Sequence, residues 1–275
     1  MIKTVTTPNF DEQTAFIEIK KHWTEWAKER NFTKFVVGIS GGIDSTCVAT
    51  MAAGIFGKDN VIGVTLPCDG KQDIIESDAV INMLGIKKVN IDIGDAFASL
   101  LNGIENNAIE TTAVCRTNMP ARLRMTALYG VAQSLGACVL NTCNRSESVV
   151  GNDTLWGDDC GSYAPIQMLT KSEVVRLARF LGVPDWIAYK TPTDGLQPLT
   201  DEQRLGVTYC DIDTFIRNPN ELELGIYAKI FEMYQKNKFK LEMVHIDGPT
   251  FDWLNDITRK DPAMAGYSEG LKLYH

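Results

Sequence analysis

"VVGISGGIDSTCV", residues 36–48, runs from apolar residues through a serine and two glycines to an aspartate, two hydroxyls and more apolar residues. A buried strand, a tight turn and a helix account for that order. Gly41 and Gly42 let backbone N–H groups approach an anion, and the helix N-terminus adds a favourable field. Ser40 and Ser45 add hydroxyl donors. Asp44 narrows the choice of anion: a carboxylate beside phosphate is repelled unless a cation lies between them, which points to Mg²⁺. The lysine of G-x-x-x-x-G-K-[ST] is missing and G-x-G-x-x-G is absent. The turn is therefore neither a γ-phosphate ATPase loop nor a dinucleotide fingerprint.

Working outward, the same alternation repeats. "TPNFDEQTAFIEIKKHWTEWAKERN" reads as an amphipathic helix, "KFVVGI" as a strand, and "DSTCVATMAAGIFG" as a helix closed by Gly57. Strand "NVIGVTLP" and helix "DIIESDAVINMLG" follow, then strand "KKVNIDI" and helix "DAFASLLNGIENN". Pro120 predicts the first turn of a long helix, "PARLRMTALYGVAQSLG". "ACVLNT" reads as a fourth strand, leading to a glycine- and aspartate-rich loop over 144–163. Thr170–Glu173 and Thr200–Gln203 are capping boxes, and the chain to about residue 240 keeps a helical period. Alternating strands and helices predict an α/β fold: a doubly wound parallel sheet with helices on both faces and helical additions at both ends. Ligands in such folds bind at the carboxyl ends of the strands. The loop after the first strand, "CRTNMPAR" and the loop after the fourth strand should all meet there.

The 275 residues, 44% hydrophobic and 23% charged, are ordinary for a globular protein, and the net charge of −8 argues against a nucleic-acid or anionic-membrane partner. Seven cysteines without a C-x-x-C pair, and no export-signal pattern at the N-terminus, predict reduced thiols and a cytoplasmic location. The three scattered histidines do not suggest a zinc site, and no apolar run reaches the length of a membrane span.

S-G-G-x-D-S after a strand resembles the signature of the ATP pyrophosphatase (PP-loop) superfamily, whose fold is that of the adenine nucleotide alpha hydrolases. Within it the chain resembles ammonia-dependent NAD synthetases over nearly its whole length. The resemblance implies that the loop from Gly38 and Ile39 through Ser40, Gly41, Gly42, Ile43, Asp44 and Ser45 holds the β- and γ-phosphates of ATP. Those phosphates leave together, so attack falls on the α-phosphate. "NMPARLRM" resembles N-x-K-A-R-x-R-M and implies substrate binding by Arg122. "NTCNRSE" resembles G-T-x-x-x-x-E, giving ATP binding by Thr142 and a metal ligand at Glu147 beside Asp44. "LTKSEV" supplies Lys171 for the ATP phosphates, and the lid-like segment "TPTDGLQPLTDEQRLGVTY" supplies Thr193 for ATP. Asp44, Glu147 and Lys171 would then carry the catalysis.

The substrate half departs from the family pattern. Leu155 and Ser162 stand where a lysine and an aspartate contact the dinucleotide, and Asp158 or Asp159 is a candidate for the missing aspartate's task. Lys240, in "NKFKLEM", is a candidate for a family lysine near the C-terminus. The implied organisation is one synthetase-like domain: an N-terminal helix over 1–33, a nucleotide-binding core over 34–190, and lid and helical regions over 191–275. The stretch ahead of Lys34 is too short for a glutaminase domain, so free ammonia or a separate ammonia-producing subunit is expected. The implied reaction amidates nicotinic acid adenine dinucleotide with ammonia through an acyl-adenylate, using ATP and Mg²⁺, in a homodimer. Rival readings are a tRNA thiolase, for which Cys115 and Cys143 would matter, a GMP or nitrile-forming synthetase, and a non-catalytic adenine-nucleotide-binding module.

Overall fold

The computed structural model describes residues 2–68, 74–192, 199–243, 246, 248–251 and 253–254. Its elements run α1 (Glu12–Glu29), β1 (Phe35–Gly38), α2 (Ile43–Phe56), β2 (Val61–Thr65), α3 (Ile74–Leu84), β3 (Lys87–Asn90), α4 (Gly94–Glu105), α5 (Ala113–Leu135) and β4 (Cys138–Val139). After β4 the chain is helical: α6 (Arg145–Val150), α7 (Lys171–Phe180), α8 (Asp185–Ala188), α9 (Asp201–Leu205), α10 (Tyr209–Arg217) and α11 (Leu224–Met243).

The strands are parallel in the order β3-β2-β1-β4, with Phe35 paired to Val61 on one side and to Cys138 on the other. Side chains of a strand alternate between faces, and the core divides accordingly. Phe35 and Val37 pack with α1, α2 and α7, whereas Val36, Ile62 and Val64 pack with residues of α4 and α5. Helices cover both faces, as the alternating elements predicted. Because the chain reaches β2 and β3 on one side of β1 and then crosses to β4 on the other, the strand order reverses between β1 and β4. That reversal opens a crevice at their carboxyl ends.

Two expectations are corrected. The long helix begins not at Pro120 but at Ala113, where the Thr112 hydroxyl caps it by accepting the Cys115 N–H at 3.2 Å. Pro120 lies inside α5, and its missing N–H removes only the bond to the Arg116 carbonyl. The extra turns bring Thr117 and Asn118 to the crevice. The fourth strand is also shorter than expected. Beyond it, Leu140 makes a single parallel bridge with Tyr163, and α6 interrupts the stretch expected to be loop.

Candidate active site

The turn after β1 is held internally. Ser40 N–H donates to Ser45 Oγ at 3.3 Å, Gly42 N–H to Ser40 Oγ at 3.3 Å, and Ser45 Oγ–H to Gly42 O at 3.2 Å. Gly41 has φ +77°, and a Cβ there would lie 2.9 Å from Glu76 Cβ and 3.1 Å from the backbone nitrogen of Ser77. Only glycine suits that conformation and that close approach of α3. The first i→i−4 bond of α2 is from Thr46 N–H to Gly42 O, at 3.2 Å. The N–H groups of Ile43, Asp44 and Ser45 therefore precede the helical ladder, an arrangement suited to an anion.

Asp44 in the first turn of α2 and Glu147 in the first turn of α6 converge on one ammonium. Lys171 Nζ, at the start of α7, donates to Asp44 Oδ2 at 2.5 Å and to Glu147 Oε1 at 2.9 Å. The Lys171 side chain is 2% exposed and the carboxylates are 17% and 15% exposed. Burial opposes the charge of Lys171, but Asp44 and Glu147 more than offset it and hold its pKa well above the ordinary lysine value. Burial pushes Glu147 up to about 8, with Lys171 opposing and Asp44 adding to the rise. Two largely buried carboxyl groups thus share one ammonium, and a second cation at the site would favour the ionised form of Glu147.

Asn144 had no role in the sequence reading, yet it joins both carboxylates. Its Nδ2 donates to Asp44 Oδ1 at 2.8 Å, its Oδ1 accepts the Glu147 N–H at 3.1 Å, and its own N–H donates to Glu147 Oε2 at 3.3 Å. That is a capping box spelled Asn-x-x-Glu, so the signal was present in the sequence. Lys171 is held by a second buried set. Its N–H donates to Ser146 Oγ at 2.9 Å, Ser146 donates to Asp213 Oδ1 at 2.5 Å, and Asp213 Oδ2 accepts the Ser172 N–H at 2.8 Å.

A cavity of about 490 Å³ occupies the crevice, lined by the turn residues Gly38–Ser40 and Gly42–Ser45, by Thr142, Glu147 and Lys171, and by Lys240. Gly41 lies behind this lining, against α3. Thr193 falls outside the described residues. Arg122 is exposed on α5, outside the lining, and donates from Nε to Leu155 O at 3.2 Å. It is Arg124 that lines the cavity, with Nε donating to Leu66 O at 3.0 Å. Lys240 Nζ donates to Gly151 O at 2.9 Å, Asp153 O at 2.7 Å and Asp153 Oδ1 at 2.9 Å. An ammonium has three donors, so Lys240 is committed to this loop. Asp158 also lines the cavity and accepts the Thr154 N–H at 2.8 Å. Asp159 is pushed up to about 7 by burial and by Asp153 and Asp158 beside it. Cys143 lines the cavity too, but burial, with nearby carboxylates adding, raises its thiol well above the ordinary value and makes it a poor nucleophile.

The profile of the NAD synthase family matches residues 16–244. An NH(3)-dependent NAD(+) synthetase of Pyrococcus horikoshii is 38% identical over 245 residues, covering 83% of this chain and 92% of that one. The structure of an NMN synthetase from Francisella tularensis superposes with a TM-score of 0.79 at 30% identity, covering 88% of this chain and all of that one. An NH3-dependent NAD synthetase from Campylobacter jejuni superposes with a TM-score of 0.70 at 26% identity, covering 86% of this chain and 100% of that one.

Proposed function

The chain belongs to the NAD synthase family, and from that premise we propose that it amidates nicotinic acid adenine dinucleotide with ammonia at the expense of ATP. The observation that carries this reading is the meeting of Asp44, Glu147 and Lys171 at the reversal of strand order. A nicotinate carboxylate oxygen attacks the α-phosphorus, and the bond to the β,γ-unit breaks to release pyrophosphate. Ammonia then attacks the acyl carbon, loses a proton, and expels AMP. Charge grows on phosphate oxygens in the first stage, so the residues required are donors and cations rather than a nucleophile. The N–H groups opening α2 face the phosphates, and Lys171 offers its ammonium beside them.

Asp44 and Glu147 fit Mg²⁺. Both reach a single ammonium, so their oxygens already surround a common point. Among the described residues no cluster of three metal-binding side chains occurs. Mg²⁺ characteristically takes one or two carboxylates and completes its shell with water and phosphate. When bound, the ion supplies positive charge to the triphosphate oxygens.

Arg122, on the exposed side of α5 beside Leu155, is the proposed contact for the outer part of the acid substrate. Lys240 shapes the 151–153 loop of the same half of the site. A homodimer is proposed, supported by the exposed Leu100, Ile109 and Val114 around the α4–α5 connection. A cytoplasmic setting suits a chain with seven cysteines and no disulfide among its described residues, and no helix of the described residues is long and apolar enough to cross a membrane.

The likeness to an NMN synthetase, together with Leu155 and Ser162, favours a second reading: the acid could be the mononucleotide. The test supplies ATP, Mg²⁺ and ammonium with either acid, and follows products by mass spectrometry. Equal amounts of NAD and AMP support the first reading, amidation of the mononucleotide alone supports the second, and neither product refutes both. Asp44→Asn is expected to abolish pyrophosphate release while the protein still folds, because Glu147 remains to pair with Lys171. Continued turnover would remove Asp44 from the metal site.

A further inference from the structure

One buried aromatic beside Lys171 has no part in the chemistry above. The ammonium contacts two carboxylates, and on another side it lies 4.9 Å from the centre of the Tyr209 ring. Tyr209 is fully buried at the start of α10. Its hydroxyl belongs to a closed ring of hydrogen bonds. Tyr209 Oη–H donates to Asp201 Oδ2 at 3.1 Å and Asn152 Nδ2 donates to Tyr209 Oη at 3.4 Å. Arg204 Nη2 completes the ring, donating to Asp201 Oδ1 at 3.1 Å and to Asn152 Oδ1 at 2.7 Å. Asn152, Asp201 and Arg204 all line the cavity, while Tyr209 stands behind them. The Tyr209 N–H also donates to Glu202 Oε1 at 2.9 Å, so α9 holds both ends of the residue.

We propose that Tyr209 is a positioning residue for the reaction: its ring face sets the direction of the Lys171 ammonium toward the ATP phosphates, and the Asp201–Arg204–Asn152 ring fixes that face. This rests on the proposed function, in which Lys171 meets ATP. The chemistry explains why an aromatic stands there. A third carboxylate would bind Lys171 too strongly for it to turn toward phosphate, whereas an apolar side chain would exert no pull on the direction of the ammonium. A ring face attracts a cation through its quadrupole yet carries no net charge. Burial holds the phenol well above its ordinary pKa, so the hydroxyl stays protonated and keeps donating to Asp201.

A double-mutant cycle on binding of Mg²⁺-ATP, measured by calorimetry, tests the link. Tyr209→Leu removes both ring face and hydroxyl and is expected to weaken binding about tenfold. Tyr209→Phe keeps the face, and the loss of the hydroxyl's two hydrogen bonds, neither of them to Lys171, should weaken binding only about threefold. In a Lys171→Gln background, where the remaining donors and Mg²⁺ keep binding measurable, both Tyr209 substitutions should change affinity by less than about twofold, as coupled sites do. Equal losses in the two backgrounds, or wild-type affinity in Tyr209→Leu, would overturn the proposal. Should Tyr209→Leu fail to fold, Arg204→Gln opens the ring from its partly exposed side and enters the same cycle, with an expected loss of about threefold that vanishes in Lys171→Gln. Failure of the wild-type protein to bind Mg²⁺-ATP would instead sink the functional reading, and this inference with it.

Discussion

Replacing Arg217 with methionine isolates the ion pair that braces α7, the helix that begins with Lys171. Arg217 and Glu173 form a forked pair, Nε to Oε1 and Nη2 to Oε2, both at 2.8 Å, with side chains 3% and 0% exposed. Glu173 Oε2 also accepts the Thr170 N–H at 2.8 Å, and Arg217 Nη2 donates to Met168 O at 2.7 Å. Removing the arginine leaves a fully buried carboxylate without its counter-charge, a change that costs about 3–5 kcal/mol. Unfolding entropy of about 2.1 cal/mol/K per residue amounts to about 0.6 kcal/mol/K for a chain of this length, so the melting temperature should fall by about 5–8 °C. The double variant Glu173→Met/Arg217→Met removes both charges. It strands the Thr170 N–H and the Met168 carbonyl, at about 1–2 kcal/mol each, and should melt about 3–7 °C below wild type. Differential scanning calorimetry of the two variants decides the matter. A single variant within about 2 °C of wild type, or a double variant melting below the single one, would refute the claim that an uncompensated charge dominates.

Lys240→Met should strand two carbonyls and the Asp153 carboxylate, 1% exposed, and lower stability by about 3 kcal/mol in urea unfolding; an unchanged unfolding curve with a raised KM for the acid substrate would return Lys240 to direct substrate contact. Asp213 is pushed up to about 6 by burial, against hydrogen bonds from Ser146 and Ser172. Its folded pKa exceeds the unfolded one, so its stabilising contribution is complete below about pH 4 and is lost as pH rises through 6, a change of about 3 kcal/mol. Asp213→Asn should therefore lose stability less steeply than wild type across that window, and parallel urea-unfolding profiles would rule the assignment out.

The strands and the turn after β1 could be read from the sequence because their determinants are local. Apolar runs such as Phe35–Val37, the glycines at 57 and 85 that close helices, and the Thr200 hydroxyl that accepts the Gln203 N–H act within a turn or two of chain. The same local logic assigned the first turn of a helix to Pro120, because Thr112 offers no stronger cue in sequence than any other threonine. Lys171 and Asp44 were expected to share a site through family resemblance. That they touch is a property of the sheet, which brings the carboxyl ends of β1 and β4 side by side. Lys240 shows why a charged side chain near a site does not reveal its partner. Two of its three acceptors are main-chain carbonyls, which every residue carries, so no side-chain pattern records them. Asn144 and Tyr209 escaped for a related reason. The Asn144 capping box reaches Glu147 within its own turn, but its contact with Asp44, like that of Tyr209 with the Lys171 ammonium, exists only once the fold brings distant segments together. The chemistry-bearing residues announce themselves by type, while those that aim them are defined only by where the chain returns.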